Sequence, residues 1–451
     1  MTEWRADGVE VVRLHASWRR VAPAGKRAPA RFAPRNPDDP HYAWYELDNA
    51  VRLIKAARMR LMLTITGPGP HWANQERGRR QRRWARNAWR PHPKAFADFA
   101  TAVARRYGRH VDRYSIWNEP NLYLAPLFSC DRRKRPRRCR PEAPHAYRRL
   151  VIRAGSAIRR ADRGAEIAIG ELASIGGPGR IAPLPFLREM ACVTATYRPR
   201  RDGPCRRFRA PRADALAYHP HSRRWSPQRR TRHPDNARFG DLGRLIAVAD
   251  ALTARGRIRA PRRRLVIRLT EFGYQTRPPD RARGVSLRNQ ARYLQTALYL
   301  AWRRPRIKTL IHYQWRDESV RNAGPGFARY AGWQSSLRFF DGRPKPALRA
   351  FARPFVAIRV GSSVLFWGRA RAAPQRSIEL QRRHRGSHRW ERVMRLRTTP
   401  DGVWRRWLTG VAPGRYRFAV TAHAGRGALG ASHILRLQRN TTHRTVIVPA
   451  G

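Results

Sequence analysis

The sequence predicts an α/β chain, a (β/α)8 barrel followed by a small antiparallel β-sandwich. Three observations predict it. Short apolar runs alternate with amphipathic helical stretches from residue 9 to about residue 315, the pattern of parallel strands joined by helical crossovers. Two of those runs end on a glutamate, Glu119 and Glu271, and strand ends are where barrels of this kind keep their chemistry. After about residue 355 the apolar period changes to two with turn residues between, which argues for antiparallel strands.

Taken in order, residues 9–15 read as the first apolar strand, with Trp18 after its end. A helix follows over 45–60, because Leu47, Val51, Ile54 and Ala57 recur at spacings of three or four. Residues 61–66 are the next strand, and Gly67-Pro68-Gly69-Pro70-His71-Trp72 is the loop at its end. Residues 96–107 are helical and lead to the short strand 114–117, which ends at Glu119 because Pro120 has no N–H for a ladder. The alternation continues with helix 146–161, strand 166–174, helix 184–193 and strand 215–218, which ends in His219-Pro220-His221. Helix 241–255, strand 265–271, helix 289–302 and strand 307–315 complete seven strands, and residues 339–348 close the barrel. Beyond it, residues 364–368, 378–381, 393–396, 416–420 and 434–437 are short strands, with turns at Pro400-Asp401-Gly402 and Pro413-Gly414. We therefore expect a barrel over 1–354 and an accessory sandwich over 355–451.

The charge is unusual. Lys and Arg number 96 against 30 Asp and Glu, a formal net charge of +66, and only six of the cations are lysines, leaving 90 arginines. One reading is a polyanion partner; the other is an arginine-rich composition without a dedicated site, since the arginines are spread along the chain and enter strands, as at Arg268. Either way non-specific polyanion adsorption at low salt is expected, and no dedicated nucleic-acid site. No run of about 18 apolar residues appears, so no membrane span is expected. Four cysteines fall into two local pairs, Cys130 with Cys139 and Cys192 with Cys205. Two loop-closing disulfides are one reading and imply an oxidising compartment; free thiols are the other. Residues 1–8 contain no apolar leader segment.

The strand ends bring together His71, Trp72, Asn118, Glu119, Tyr218, His219, His221, Glu271 and Trp315. Aromatic faces with hydrogen-bonding groups between them suit a sugar cleft. Two strand-end carboxylates suit glycosidic cleavage, one protonating the leaving oxygen while the other attacks the sugar or activates water. Trp72, Trp84 and Trp89, interleaved with arginines, read as sugar subsites on a cleft-side loop or as an aromatic and basic nucleic-acid surface. The histidines have no carboxylate triad for a metal, and no metal or cofactor is expected.

Trp117-Asn118-Glu119-Pro120-Asn121 and Thr270-Glu271-Phe272-Gly273 resemble the acid/base and nucleophile motifs of the clan A glycoside hydrolases, families 39 and 5 most closely, over roughly residues 9–352. The resemblance implies a retaining glycosidase acting on β-linked oligo- or polysaccharides, with Glu119 as acid/base and Glu271 as nucleophile. It also implies that Asn118 binds the sugar 2-hydroxyl and that Trp315 is a platform, unless Trp315 is a core aromatic. Arg13 matches an arginine beneath the nucleophile, or is one of many. Relatives often read His-Pro-Tyr where this chain has His219-Pro220-His221, so His221 or Tyr274 would stand in as the nucleophile's partner. In clan A the two glutamates sit on strands four and seven, but here they fall on the third and sixth. The expectation is a barrel lacking its first strand, together with a signal peptide, in a secreted or cell-surface protein. The competing class is a catalytically inactive protein that binds carbohydrate or polyanions.

Overall fold

The computed structural model describes residues 1–75, 89–130, 139–371, 376–384, 386–421, 428–437 and 445–447. Trp84, one of the expected cleft tryptophans, lies outside them. A short helix α1 (Thr2–Ala6) precedes the barrel. Its strands and main helices are β1 (Val11–Ser17), α2 (Tyr45–Ala56), β2 (Arg60–Thr66), α3 (Pro93–Tyr107), β3 (Arg113–Ile116), α4 (Ala143–Ala161), β4 (Ile167–Ala173), α5 (Pro183–Met190), β5 (Ala215–His219), α6 (Leu242–Ala254), β6 (Val266–Phe272), α7 (Leu287–Trp302), β7 (Ile307–His312) and α8 (Pro346–Ala352). All seven strands pair in chain order and in parallel.

The strands run straight through the interior, so they are buried on both faces, as parallel sheets under helices are: every residue of β4 and β5 is buried. Alternate positions of each strand share the inner face. Low in the barrel small and apolar residues, Met62, Ala168, Ala215 and Ala217, pack together beside Arg113 and Arg268, which pair with Glu166. One step higher the inner positions are polar: Arg13, Thr64, Ser115 and Thr270. The barrel interior thus carries a polar floor, and the floor faces the C-terminal ends of the strands.

No ladder joins β1 to β7 among the described residues, as expected for a barrel short of one strand. The seam is not bare. Trp4 of α1 packs its ring 5.2 Å from that of Trp315, and Arg338 pairs with Glu3 and Asp7. Strand β7 ends at His312, three residues before the position read from the sequence.

After α8 the chain forms β8 (Phe355–Val360), β9 (Ser363–Arg369), β10 (Ser377–Arg383), β11 (Glu391–Arg397), β12 (Val403–Thr409), β13 (Gly414–Thr421), β14 (Ala428–Ala431), β15 (Leu435–Leu437) and β16 (Thr445–Ile447). They make two antiparallel sheets, β12-β9-β8-β16 and β11-β10-β13-β14, with β15 also on β13, around a core that includes Phe355, Phe366, Trp404 and Phe418. Both cysteine pairs are disulfide-bonded, Cys130 to Cys139 and Cys192 to Cys205. No helix among the described residues is long and apolar enough to cross a membrane.

Candidate active site

Glu119 is delivered by an unusual turn. Strand β3 stops at Ile116, and Trp117 and Glu119 both adopt left-handed backbone, with φ of 66° and 44°. Such residues each cost about 1–3 kcal/mol and persist only where their surroundings hold them. Here the Trp117 indole is buried against Phe96, centroids 5.4 Å apart. It fills the space where any side chain at residue 67 would begin: a Cβ on Gly67 would lie 2.1 Å from the ring. The Glu119 N–H donates to the Glu171 carbonyl at 3.0 Å, which fixes the carboxylate over the rim.

Glu271 sits near the end of β6 beneath three cationic or histidine side chains. Arg13 Nη1 donates to its Oε1 at 2.6 Å, while His219 Nδ1 and His221 Nε2 lie 3.6 and 3.7 Å from its Oε2. Burial alone would raise its pKa, but His219, His221 and Arg13 hold it well below the ordinary carboxylate range. Arg13 is a hub: Nη2 donates to Asn118 Oδ1 at 2.8 Å and Nε to Thr64 Oγ1 at 2.8 Å. Asn118 is thereby oriented beside both glutamates.

His219 is fully buried and joins the two carboxylates. Its Nδ1 lies 3.0 Å from Glu119 Oε1 and 3.6 Å from Glu271 Oε2, so those two oxygens cannot be further apart than the sum of these distances. Its Nε2 lies 2.7 Å from Glu171 Oε2. Burial opposes charge on this ring, but Glu271, Glu119 and Glu171 outweigh it and lift the pKa to about 10. Ligand atoms of His219, His221 and Glu271 converge closely enough to hold an ion. Both His219 nitrogens already face carboxylates, so an ion there would have to displace a proton from the ring.

Glu171 was not singled out from the sequence. It looks like a mid-strand residue of Ile169-Gly170-Glu171-Leu172, with no strand end to mark it. A bulge between Gly170 and Leu172 turns its side chain into the barrel. Gly170 has φ of 109° and no room for a Cβ, which would meet the Ala217 carbonyl at 2.6 Å.

Other expected residues divide. His221 lines the site, and His71 and Trp72 sit on a half-buried helical turn after β2. The Trp72 Nε1 donates to the Pro23 carbonyl at 2.9 Å. Trp89 is buried. Tyr274 does not face the cleft: it is 1% exposed, and its hydroxyl donates to the Trp225 carbonyl, anchoring the loop that carries His221. Trp315 packs at the seam against Trp4, and Arg338 lies over its ring. Tyr313 lies close to Glu271, and Trp333 packs on Tyr313 and His221. Trp333 is 43% exposed, stacks on His221 with centroids 6.4 Å apart and meets Tyr313 edge-on at 5.4 Å, while Glu271 helps raise the burial-shifted pKa of Tyr313.

No protein-family model matches the chain, and no curated protein matches it in sequence. Among solved structures it is similar to a family 39 glycoside hydrolase from Bacteroides cellulosilyticus WH2, at 13% identity over 90% of this chain and 76% of that one, TM-score 0.49. A glucosidase from Croceicoccus marinus matches at 13% over 88% and 76%, TM-score 0.49. A monomeric β-xylosidase from Caulobacter crescentus CB15 matches at 14% over 90% and 89%, TM-score 0.49.

Proposed function

We propose that the protein is a retaining glycoside hydrolase that cleaves O-glycosidic bonds in β-linked glycans. The observation that carries this reading is the pair of strand-end carboxylates gathered on one histidine nitrogen, at 3.0 and 3.6 Å, with unequal surroundings. Glu271 is held ionised by Arg13 and the histidines, as a nucleophile must be. Glu119 has no arginine or lysine partner among the described residues and meets His219 alone, at 3.0 Å, so we assign it the acid/base role. Two carboxyl groups with different environments divide acid and nucleophile roles between them.

In the first step Glu119 gives its proton to the leaving glycosidic oxygen as Glu271 attacks the anomeric carbon, forming a glycosyl ester and releasing the aglycone alcohol. In the second, Glu119 takes a proton from water, whose oxygen displaces Glu271 and regenerates both carboxyl groups. Asn118, pinned by Arg13, faces the reacting sugar. The exposed Trp333 ring and Tyr313 form its aromatic wall, since pyranose faces pack on aromatic rings.

Two disulfides suit an oxidising setting, and we place the protein outside the cell or on its surface. A net charge of +66 favours a second property, adsorption to polyanions, which falls steeply as salt rises; hydrolysis of a neutral glycan does not. The test is hydrolysis of aryl β-glycosides and β-glucans with the product anomers followed by proton NMR. The β-anomer should appear first, and initial release of the α-anomer would refute retention. Glu119→Gln should lower turnover about 10²–10⁴-fold, and Glu271→Gln about 10⁴-fold or more, with the circular dichroism spectrum unchanged. A folded protein that hydrolyses none of these substrates points to the inactive binding class.

A further inference from the structure

The carboxylate that organises the site is one no substrate can reach. Glu171 is 0% exposed, and both of its oxygens are saturated by side chains from five different strands. Oε1 accepts from Ser115 Oγ at 2.5 Å and lies 3.4 Å from Thr64 Oγ1. Oε2 accepts from Thr270 Oγ1 at 2.5 Å, lies 2.7 Å from His219 Nε2 and 3.3 Å from Arg13 Nη2. A structural ion pair would need one cation. This carboxylate faces two, and each of those cations reaches past it to a different glutamate: Arg13 to Glu271 and His219 to Glu119. The backbone agrees with the side chain. Glu171 itself has φ of 48°, a conformation that costs about 1–3 kcal/mol, and its carbonyl holds the Glu119 N–H.

We infer that Glu171 is a positioning residue for the proposed reaction: it locks the Nδ1 edge of His219 onto Glu119 and the guanidinium of Arg13 onto Glu271. The inference rests on the hydrolase reading above. With Nε2–H committed to Glu171, only Nδ1 is left to follow the charge on Glu119 as that residue gives up and regains its proton. Burying a histidine and an arginine beside each other is unfavourable unless an anion lies between them, and Glu171 is that anion. The charged and titratable groups facing His219 are Glu119, Glu171 and Glu271, with Arg13, His15 and His221. Glu171 is the one among the carboxylates that takes no part in the chemistry, so its charge is constant through the cycle.

The first measurement needs no variant. In the full chain labelled with ¹⁵N-histidine, both His219 nitrogens should report protonation at pH 7 and deprotonate only well above pH 8. A neutral His219 ring at pH 7 overturns the inference. Glu171→Gln keeps the shape and removes the charge. It should bring the His219 titration down by more than one pH unit and lower kcat about 10- to 100-fold, the worth of one charged hydrogen bond. KM should change less than threefold, and the alkaline limb of the pH–rate profile should move the same way as the His219 titration. Glu171→Gln with a wild-type titration and profile overturns it, and so does an equal loss at every pH with the titration unmoved. The NMR arm does not depend on hydrolysis, so a protein that cleaves no glycoside would refute the hydrolase reading while the titration still decides whether Glu171 sets the charge of His219.

Discussion

Arg13 makes three directed contacts from one planar group, to Glu271, Asn118 and Thr64, and a lysine ammonium cannot reproduce that fork. Arg13→Lys should therefore keep the charge yet lower kcat about 10- to 100-fold by loosening two charged or polar hydrogen bonds, checked by steady-state kinetics on an aryl β-glycoside. Loss of activity below twofold would mean that charge alone suffices. Glu119 and Glu271 can be told apart chemically. With an activated leaving group Glu119→Gln should still form the glycosyl ester, and azide, which needs no general base, should restore its turnover; Glu271→Gln should gain nothing from azide. The buried charges also fix a pH window for stability. Glu171 is pressed down to about 2, despite burial, by Arg13, His219 and Ser115, so its contribution is present above the ordinary carboxylate range and is lost as pH falls towards 2. His219 is raised to about 10, so its contribution is complete below about 6.5 and is lost as pH rises towards 10. Urea midpoints should therefore form a plateau between about pH 5 and 6.5 and decline on both sides. Glu119, Asn118, His219 and Glu271 were legible in the sequence because strand ends mark them; Glu171 was not, because only a bulge turns it inward.

At the scale of elements, the seven barrel strands and their helices could be read because parallel strands are largely apolar and their covering helices are amphipathic. Strand β12 was missed. Its Trp404-Arg405-Arg406-Trp407 run breaks the apolar alternation, since Trp404 is buried whereas Arg405, Arg406 and Trp407 are exposed. The end of β7 falls earlier than the sequence suggests because apolar and aromatic residues continue past His312 into Tyr313-Gln314-Trp315. Arg268 within β6 looked anomalous for a strand. It lies low in the barrel, where its Nε donates to Glu166 at 2.6 Å and Nη1 to Thr309 at 2.7 Å, so a strand arginine there has its partners. The turn after β2 depends on the turn after β3. Gly67→Ala would drive a methyl into the Trp117 indole and should destabilise by about 1–3 kcal/mol, read as a lower urea midpoint, with activity falling because Trp117 leads directly into Asn118 and Glu119. An unchanged midpoint would show that the indole is free to move.

For the whole molecule, the segment after residue 354 has a core of its own, yet part of it also packs into the core of the barrel. Trp367 of β9 is buried, with its ring 5.3 Å from Tyr299 and 5.6 Å from Trp302 of α7. Val356, Leu365 and Val403 join the same apolar cluster as the barrel helices. Arg369 adds an ion pair to Glu10 at 2.6 Å, just before β1, so the sandwich grips the barrel at α7 and near its first strand. These lie on either side of the open seam, and a barrel whose ladder does not close gains most from a brace there. The composition could not reveal this, because a tryptophan in a period-two run reads as sandwich core. We expect Trp367→Ala to cost about 3–5 kcal/mol and to split thermal unfolding into two calorimetric transitions, the earlier one coinciding with loss of hydrolysis. A chain ending at residue 354 would expose Tyr299 and Trp302 and should unfold at lower temperature than the full chain. A single transition in Trp367→Ala at the wild-type temperature would mean that the two segments are stable independently and that the sandwich is a spacer.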